Sequence, residues 1–253
     1  RALLTYLSPP AGGTTRDVCR TPKACPPMIH PPYAVRSGLL LALTIPLFHS
    51  TATAQALSHV VLPNGTAGAD AVGSNTLPWG RAALGAARVQ MLYDTSHFTA
   101  QGVTQPIRIM NLRWRANGAT GSWTGGLYQN ITVSMSSSPR DASTPSNAWL
   151  TNQGANNTVV HNGPVVFLVG SATTGAVGPT VIDINLTTPF VYDPSLGQDL
   201  LIDVDMPPGQ WLGGTAFATD ALTTAPGTGR VSATATYGGT TGTVTQQAQA
   251  LVV

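Results

Sequence analysis

Three aspartates have the clearest potential for metal or acid–base chemistry in this 253-residue chain: Asp183, Asp203 and Asp205. Asp203 and Asp205 are two residues apart in an apolar run, so on a strand both side chains lie on one face. Asp183 lies in the preceding predicted strand of what we interpret as the same hairpin. Carboxylates and loop carbonyls are the oxygen ligands that Ca²⁺ prefers. The spacing predicts a Ca²⁺ site at these aspartates, and the simpler interpretation is a solvated polar face.

Catalytic patterns are weaker than this metal hypothesis. A glycosidase needs one carboxylic acid with a raised pKa beside a second carboxylate, and the chain offers aspartates but no glutamate. The G-x-S-x-G pentapeptide of α/β serine hydrolases does not occur. The sequence therefore favours a protein without catalytic activity. A metal-dependent secreted enzyme acting on polysaccharide is the distant alternative.

Three histidines allow a second metal hypothesis. If signal peptidase cleaved after Ser58, His59 would become the N-terminal residue, and its amine and imidazole could join His97 or His161 at a copper ion. Imidazole nitrogens suit copper in tetragonal geometry. The ordinary interpretation assigns the three histidines to a strand, a turn and a hairpin.

Tryptophans provide the main hint of binding. Trp123, Trp149 and Trp211 lie among Gly, Ser, Asn and Pro, which predicts loops in which an indole ring can be exposed. Exposed aromatic rings are suited to stacking on the apolar faces of sugars. We therefore treat these three residues as candidate ligand-binding residues, with simple coverage of the sandwich edges as the alternative. Trp114 follows the inward alternation of its strand and is predicted to lie in the core.

The segment from Arg36 to Ala54 has the pattern of a secretory signal peptide. A positive residue precedes an apolar run over residues 39–48, and Ala52 and Ala54 supply the A-x-A cleavage pattern. The run is about half of the roughly 20 residues that a membrane-spanning helix requires. We predict a leader at residues 1–27, untranslated or disordered, a signal peptide at 28–54 and a mature domain at 55–253. This organisation predicts a secreted or cell-surface protein with no membrane span after cleavage.

Charge limits the partners of that mature domain. From Gln55 onward it has seven Arg, nine Asp and no Lys or Glu, a net charge of −2. Binding to nucleic acid depends on several Lys or Arg contacts with phosphates. The charge pattern therefore argues against nucleic-acid partners. Both cysteines, Cys19 and Cys25, precede the predicted cleavage site.

Period-two alternation between turn residues predicts the fold. Ile131, Val133 and Met135 alternate with polar residues. Residues 107–114 show the same pattern, which predicts that Ile107, Ile109 and Asn111 lie on one face of a strand. Many short strands rich in Thr, Val and Ile, joined by Gly and Pro turns, are typical of sandwiches. We predict an all-β protein with a single jelly-roll-like β-sandwich of about 9–11 antiparallel strands. The further candidate strands are 88–94, 158–161, 165–169, 181–186, 200–206, 230–237 and 251–253.

Six segments together resemble a family of exported bacterial proteins. They are LPWG (77–80), RVQMLYDTSHF (88–98), PIRIMNLRWRANG (106–118), NITVSMSSSP (130–139), NNTVVHNGPV (156–165) and IDINLTTPFVYDPSLGQDLLIDV (182–204). The most specific part is the predicted hairpin over residues 188–204. The resemblance implies a signal peptide followed by one β-sandwich domain, sometimes with a C-terminal sorting anchor that has no counterpart here. It implies no catalytic residues.

Together these features predict a secreted or cell-surface structural or adhesion protein, whose partner would be extracellular matrix or a glycan surface. A carbohydrate-binding module is the alternative function. No cofactor is expected apart from Ca²⁺, and the oligomeric state is left open.

The cleavage site can be tested directly. Expression of residues 28–253 in a bacterial host should yield an exported product that begins at Gln55, because Ala52 and Ala54 fit signal peptidase. Native mass spectrometry of this product gives its N-terminus and any retained ion. A product that begins at His59 and carries one copper would instead support the copper hypothesis.

Overall fold

The computed structural model describes residues 59–252, apart from 72, 81–85, 235–237, 246–247 and 250. All of these belong to one unit, Ala54–Val253. The predicted leader and signal peptide lie outside the described residues. In the described part of the chain, no helix is long and apolar enough to cross a membrane.

The described elements are almost all strands. There are two one-turn helices, α1 (Ser96–Thr99) and α2 (Trp149–Asn152). The strands are β1 (Val61–Leu62), β2 (Gly73–Asn75), β3 (Ala87–Tyr93), β4 (Ile107–Arg115), β5 (Ser122–Trp123), β6 (Gly126–Ser138), β7 (Thr158–Phe167), β8 (Gly170–Ser171), β9 (Thr180–Tyr192), β10 (Asp199–Met206), β11 (Trp211–Leu212), β12 (Thr219–Leu222), β13 (Thr228–Ala233), β14 (Thr243–Thr245), β15 (Ala248–Gln249) and β16 (Leu251–Val252).

The main sheet is antiparallel and has eleven of the described strands. Its order is β1-β16-β4-β9-β7-β6-β10-β3-β13-β14, and β11 pairs with β6. One residue pair, Phe167 with Ile182, joins β7 to β9. Strands on both sides of this joint bury side chains in one hydrophobic cluster, for example Trp114 and Ile184 on one side and Val133 on the other. The sheet therefore folds over on itself into two layers, and the predicted all-β sandwich is confirmed.

Alternation in β6 and β9 follows the sequence pattern. Ile131, Val133 and Met135 are buried, and so are Ile182 and Ile184 of β9. Asp183, between the last two, is exposed. These strands bury one face and leave the other to solvent, as period-two alternation requires.

Alternation in β4 departs from the prediction. Ile109 pairs with Phe190, but Asn111 pairs with Asn185, so β9 has three extra residues at this point. Pro189 lies in that irregularity, where a residue without an N–H is tolerated. Ile109 before the bulge and Leu112 after it are both buried. The inward-facing side chains of β4 therefore change from odd-numbered to even-numbered residues at the bulge. The prediction that one parity faces inward along all of residues 107–114 was wrong for this reason.

Residues 188–204 do not form the predicted hairpin. β9 and β10 are separated in the sheet by β7 and β6. Their connection is a 3₁₀ turn, Pro194–Leu196, which the Asp193 side chain caps by accepting a hydrogen bond from the Ser195 N–H at 3.0 Å. Gly197 follows with φ of 68°, a conformation that favours glycine. The turn carries the chain from one layer to the other.

A buried ion pair ties the smaller sheet β15-β12-β2 to the main sheet. Arg115 Nη2 lies 2.6 Å from Asp220 Oδ2, and both side chains are buried. Asp220 Oδ1 accepts from the Ala71 N–H at 3.0 Å, and Arg115 Nη1 donates to the Thr66 carbonyl at 2.8 Å. Burial raises the pKa of the Asp220 carboxyl, and the Arg115 charge opposes that increase. The pair thus holds β4, β12 and the loop before β2 together.

We expect Arg115→Met to lower the free energy of unfolding by about 3–5 kcal/mol, because Asp220 would remain buried without its cation. Arg113→Met is the matched control, since Arg113 forms an exposed pair with Asp183 and such pairs contribute at most about 1 kcal/mol. Urea unfolding followed by tryptophan fluorescence measures both. Equal losses in the two variants would contradict a special role for the buried pair.

Candidate functional site

Three candidate residues from different hypotheses meet at one place. Asp203 and Asp205 lie on β10, and Trp149 begins α2, which packs over the outward face of β3 and β10. Arg88 of β3 joins them, since its Cα is the ladder partner of Asp205. The residues predicted for metal binding and for ligand binding therefore contribute to a single site.

Asp203 is the anchor of this site. Its carboxylate is only 3% exposed, so the predicted solvated polar face is wrong for this residue. Arg88 donates from Nε to Oδ1 at 3.1 Å and from Nη2 to Oδ2 at 2.8 Å. Gln90 and Gln153 donate to Oδ2 at 2.8 and 3.1 Å. The buried charge is thus paired and fully hydrogen-bonded, as a stable buried carboxylate must be.

Trp149 closes one side of the site. Its Nε1 donates to the Gly239 carbonyl at 2.9 Å, and the Arg88 guanidinium carbon lies 5.1 Å from the ring centroid. Asn152 of the same helical turn donates to Gln90 Oε1 at 2.8 Å, which fixes α2 on β3. The Trp149 side chain is only 2% exposed. Its ring therefore acts as a wall and does not offer a free face for stacking.

Beside these groups lies a cavity of about 140 Å³, which we call the Trp149 cavity. The described residues that line it are Ala86, Arg88, Trp149, Asp205, Ala233, Gly238 and Gly239. Burial raises the pKa of the Asp205 carboxyl, the Arg88 charge lowers it, and Asp203 raises it further. The small size of the two alanines and two glycines in this lining leaves room for a ligand next to Arg88 and Asp205.

Asp183 belongs to a different part of the fold. It lies on the exposed face of β9, where Arg113 Nε approaches its Oδ2 at 3.1 Å. β9 is separated from β10 by β7 and β6, so the structure does not bring Asp183 to Asp203 and Asp205. Among the described residues there is no group of three or more His, Cys, Asp or Glu that could hold a metal ion. The geometry therefore offers no Ca²⁺ ligand set made of the three aspartates.

The other two candidate tryptophans contribute to the core. Trp123 is buried, and its Nε1 donates to the Leu168 carbonyl at 2.6 Å. Trp211 is partly buried, with ring centroids 5.3 Å from Tyr128 and 4.6 Å from Phe167. The predicted core position of Trp114 is confirmed. The predicted loop positions are wrong, because Trp123 lies on β5, Trp211 on β11 and Trp149 at the start of α2. The three rings do not form a flat exposed platform, because hydrophobic burial draws them inward.

His97 has a structural environment. Its Nδ1 lies 2.6 Å from Asn64 Oδ1, and its Nε2 lies 3.1 Å from the Gly227 carbonyl. Burial lowers the pKa of His97, and the Gly227 carbonyl opposes that shift. His161 lies on β7 opposite Val133, and His59 is exposed. His97 thus holds the turn before β13 against the loop after β1.

A second cavity, of about 330 Å³, was not anticipated from the sequence. Three aspartates line it, Asp94, Asp141 and Asp199. The other lining residues are Ser138, Pro139, Arg140, Gly197 and Gln198. Asp199 is 5% exposed and accepts from the Ala142 N–H at 2.6 Å. Burial raises the pKa of Asp199 to about 6, with further contributions from the charges of Asp94 and Asp141. The sequence signal was weak, since a single Asp at the start of a strand resembles an ordinary turn residue.

One outer surface is notably apolar. Leu212 of β11 pairs with Leu127 of β6, which pairs with Val166 of β7. Leu212 is 45% exposed and Val166 is 55% exposed, and Leu168 and Val169, which follow β7 in the chain, are exposed too. We call Leu212, Leu127 and Val166 the apolar row. Contiguous exposed apolar surface of this kind marks interaction sites.

We expect the Asp199 carboxyl to titrate near pH 6, because burial disfavours its charged form. Asp141 is the control, since hydrogen bonds from the Ser143 hydroxyl and N–H lower its pKa. Carboxyl ¹³C chemical shifts recorded against pH measure both groups. The folded-state pKa of Asp199 exceeds its unfolded value, so its contribution to stability is present at low pH and is lost as pH rises toward 6 and above. Titration of Asp199 below pH 4 would contradict the assignment.

Comparison of the chain with protein-family models, with curated proteins and with solved structures found no match. The resemblance to exported bacterial β-sandwich proteins is therefore untested by these comparisons.

Proposed function

We propose that this protein is a secreted or cell-surface structural or adhesion protein, without catalytic activity, that assembles with further copies of itself in the extracellular space. The observation that carries this proposal is the apolar row across β11, β6 and β7. Two residues of the row, Leu212 and Val166, are exposed, and Leu127 between them is half-buried. Exposure of such a row to water is unfavourable, and burial against a second copy relieves it.

The row lies beside a strand edge. Among the described strands β11 pairs with β6 alone, so no other described strand occupies its second edge. An unpaired edge next to apolar side chains is a template for pairing with another chain. Strand addition and apolar contact can then occur at the same surface.

The low net charge of residues 55–253 favours a second copy of the chain as the partner. The mature domain has a net charge of −2, so repulsion between two copies is weak. The strongest ion pairs, Arg88 with Asp203 and Arg115 with Asp220, are internal to one copy. These charges therefore serve the fold, and the contact with a second copy depends mainly on apolar burial.

The alternative, a carbohydrate-binding module, receives less support. It was based on exposed tryptophans, and Trp123 and Trp149 are buried while Trp211 packs within an aromatic cluster. Buried rings such as those of Trp123 and Trp149 have no free face that could stack on a sugar, and Trp211 is half-buried.

Self-association is tested by sedimentation velocity over a range of protein concentrations. We expect the wild-type protein to form larger species as its concentration rises, and Val166→Thr with Leu212→Thr to weaken this by about tenfold, because apolar contact area is lost. Leu150→Thr is the matched control, since Leu150 is an exposed apolar residue on α2, away from the row. A wild-type protein that stays monomeric throughout, or a control that weakens association equally, would contradict the proposal.

A further inference from the structure

The Trp149 cavity has the properties of a binding site for a small cation. We propose that it binds an organic ammonium group, such as the primary amine of a small molecule or of a side chain. This inference goes beyond self-association through the apolar row and does not depend on it. It rests on the charge of the cavity, the hydrogen-bonding state of Asp205 and the size of the space.

The charge of the site is unbalanced. Arg88 forms two hydrogen bonds with Asp203 at 3.1 and 2.8 Å, so its positive charge is already paired with a buried carboxylate. Asp205, the cross-strand neighbour of Arg88, adds a second carboxylate. The three groups together have one net negative charge. A cation is therefore attracted to the cavity, and an anion is repelled.

Asp205 is available to a ligand. It is partly buried at the edge of the cavity, and no hydrogen bond or ion pair to its carboxylate is found among the described residues. A partly buried carboxylate gains most from a charge-assisted hydrogen bond. An ammonium group has three N–H donors and a positive charge, which match this need.

The remaining lining suits the carbon chain of an amine. Ala86 and Ala233 supply apolar contact, and the Trp149 ring forms the wall opposite. A volume of about 140 Å³ corresponds to about five water molecules at about 30 Å³ each. This is enough for an ammonium group with a short alkyl stem. A Ca²⁺ ion would need about six to eight oxygen ligands, and the described lining supplies one unpaired carboxylate.

The test is an NMR titration of the ¹⁵N-labelled protein with ethylammonium chloride, with sodium chloride at equal ionic strength as reference. The indole N–H signal of Trp149, assigned by its loss in Trp149→Phe, should shift to saturation with the amine and not with sodium. We expect Asp205→Asn to weaken binding by at least about tenfold, because the counter-ion is lost. Asp183→Asn removes the same charge from the other layer and should leave the affinity unchanged.

A second variant guards against a folding defect in Asp205→Asn. Ala233→Leu fills the cavity and keeps every charge, so it should abolish the saturable shift while Arg88 and Asp203 remain paired. Thermal unfolding of each variant shows that it is folded. A linear response to the amine, or equal affinity in Asp205→Asn and the wild type, would overturn the proposal. A saturable response to a neutral methyl glycoside with none to the amine would overturn it too, and would indicate a sugar site.

Discussion

The buried carboxylate of Asp203 sets the main constraint on the outer face of this sandwich. A charge taken out of water must be paired and hydrogen-bonded, or the fold loses several kcal/mol. The carboxylate of Asp203 accepts hydrogen bonds from Arg88 and Gln90 of β3 and from Gln153, which follows α2. This requirement holds the segment around Trp149 on the sheet. The Trp149 cavity is formed as a consequence, because its wall and its charged groups are fixed by the same network.

The two layers of the sandwich obtain their cohesion from another source. Four aromatic rings form a continuous set of contacts with centroids 4.6–6.5 Å apart: Tyr128, Phe167, Trp211 and Phe217. Large rings bury more apolar area than other side chains, so tryptophans such as Trp211 on β11 pack into the core wherever the backbone allows it. The outer face of the same strands retains the apolar row. The same end of the sheet thus has an aromatic cluster on its inner face and the apolar row on its outer face.

Alternation of apolar and polar side chains was sufficient to predict that β6 and β9 are strands and to predict most of their buried positions. It failed where the ladder is irregular, as at Pro189, because a bulge changes side-chain parity without a clear mark in the local pattern. It also failed for pairing partners. Residues 188–204 read as a hairpin, but the 3₁₀ turn at Pro194–Leu196 sends β10 to the opposite layer. Which strands become neighbours in the sheet depends on contacts between residues that are far apart in the sequence.

The candidate site shows the same division. Residue types and local periodicity were enough to predict an all-β sandwich and its alternating core, and they give the low net charge of residues 55–253. The polar residues that meet at the site could be identified only from the three-dimensional fold. Asp203, Asp205 and Trp149 come together with Arg88, whereas Asp183 lies on the other layer. The physical reason is that burial and ion pairing depend on sheet order and loop packing, which join residues more than 50 positions apart.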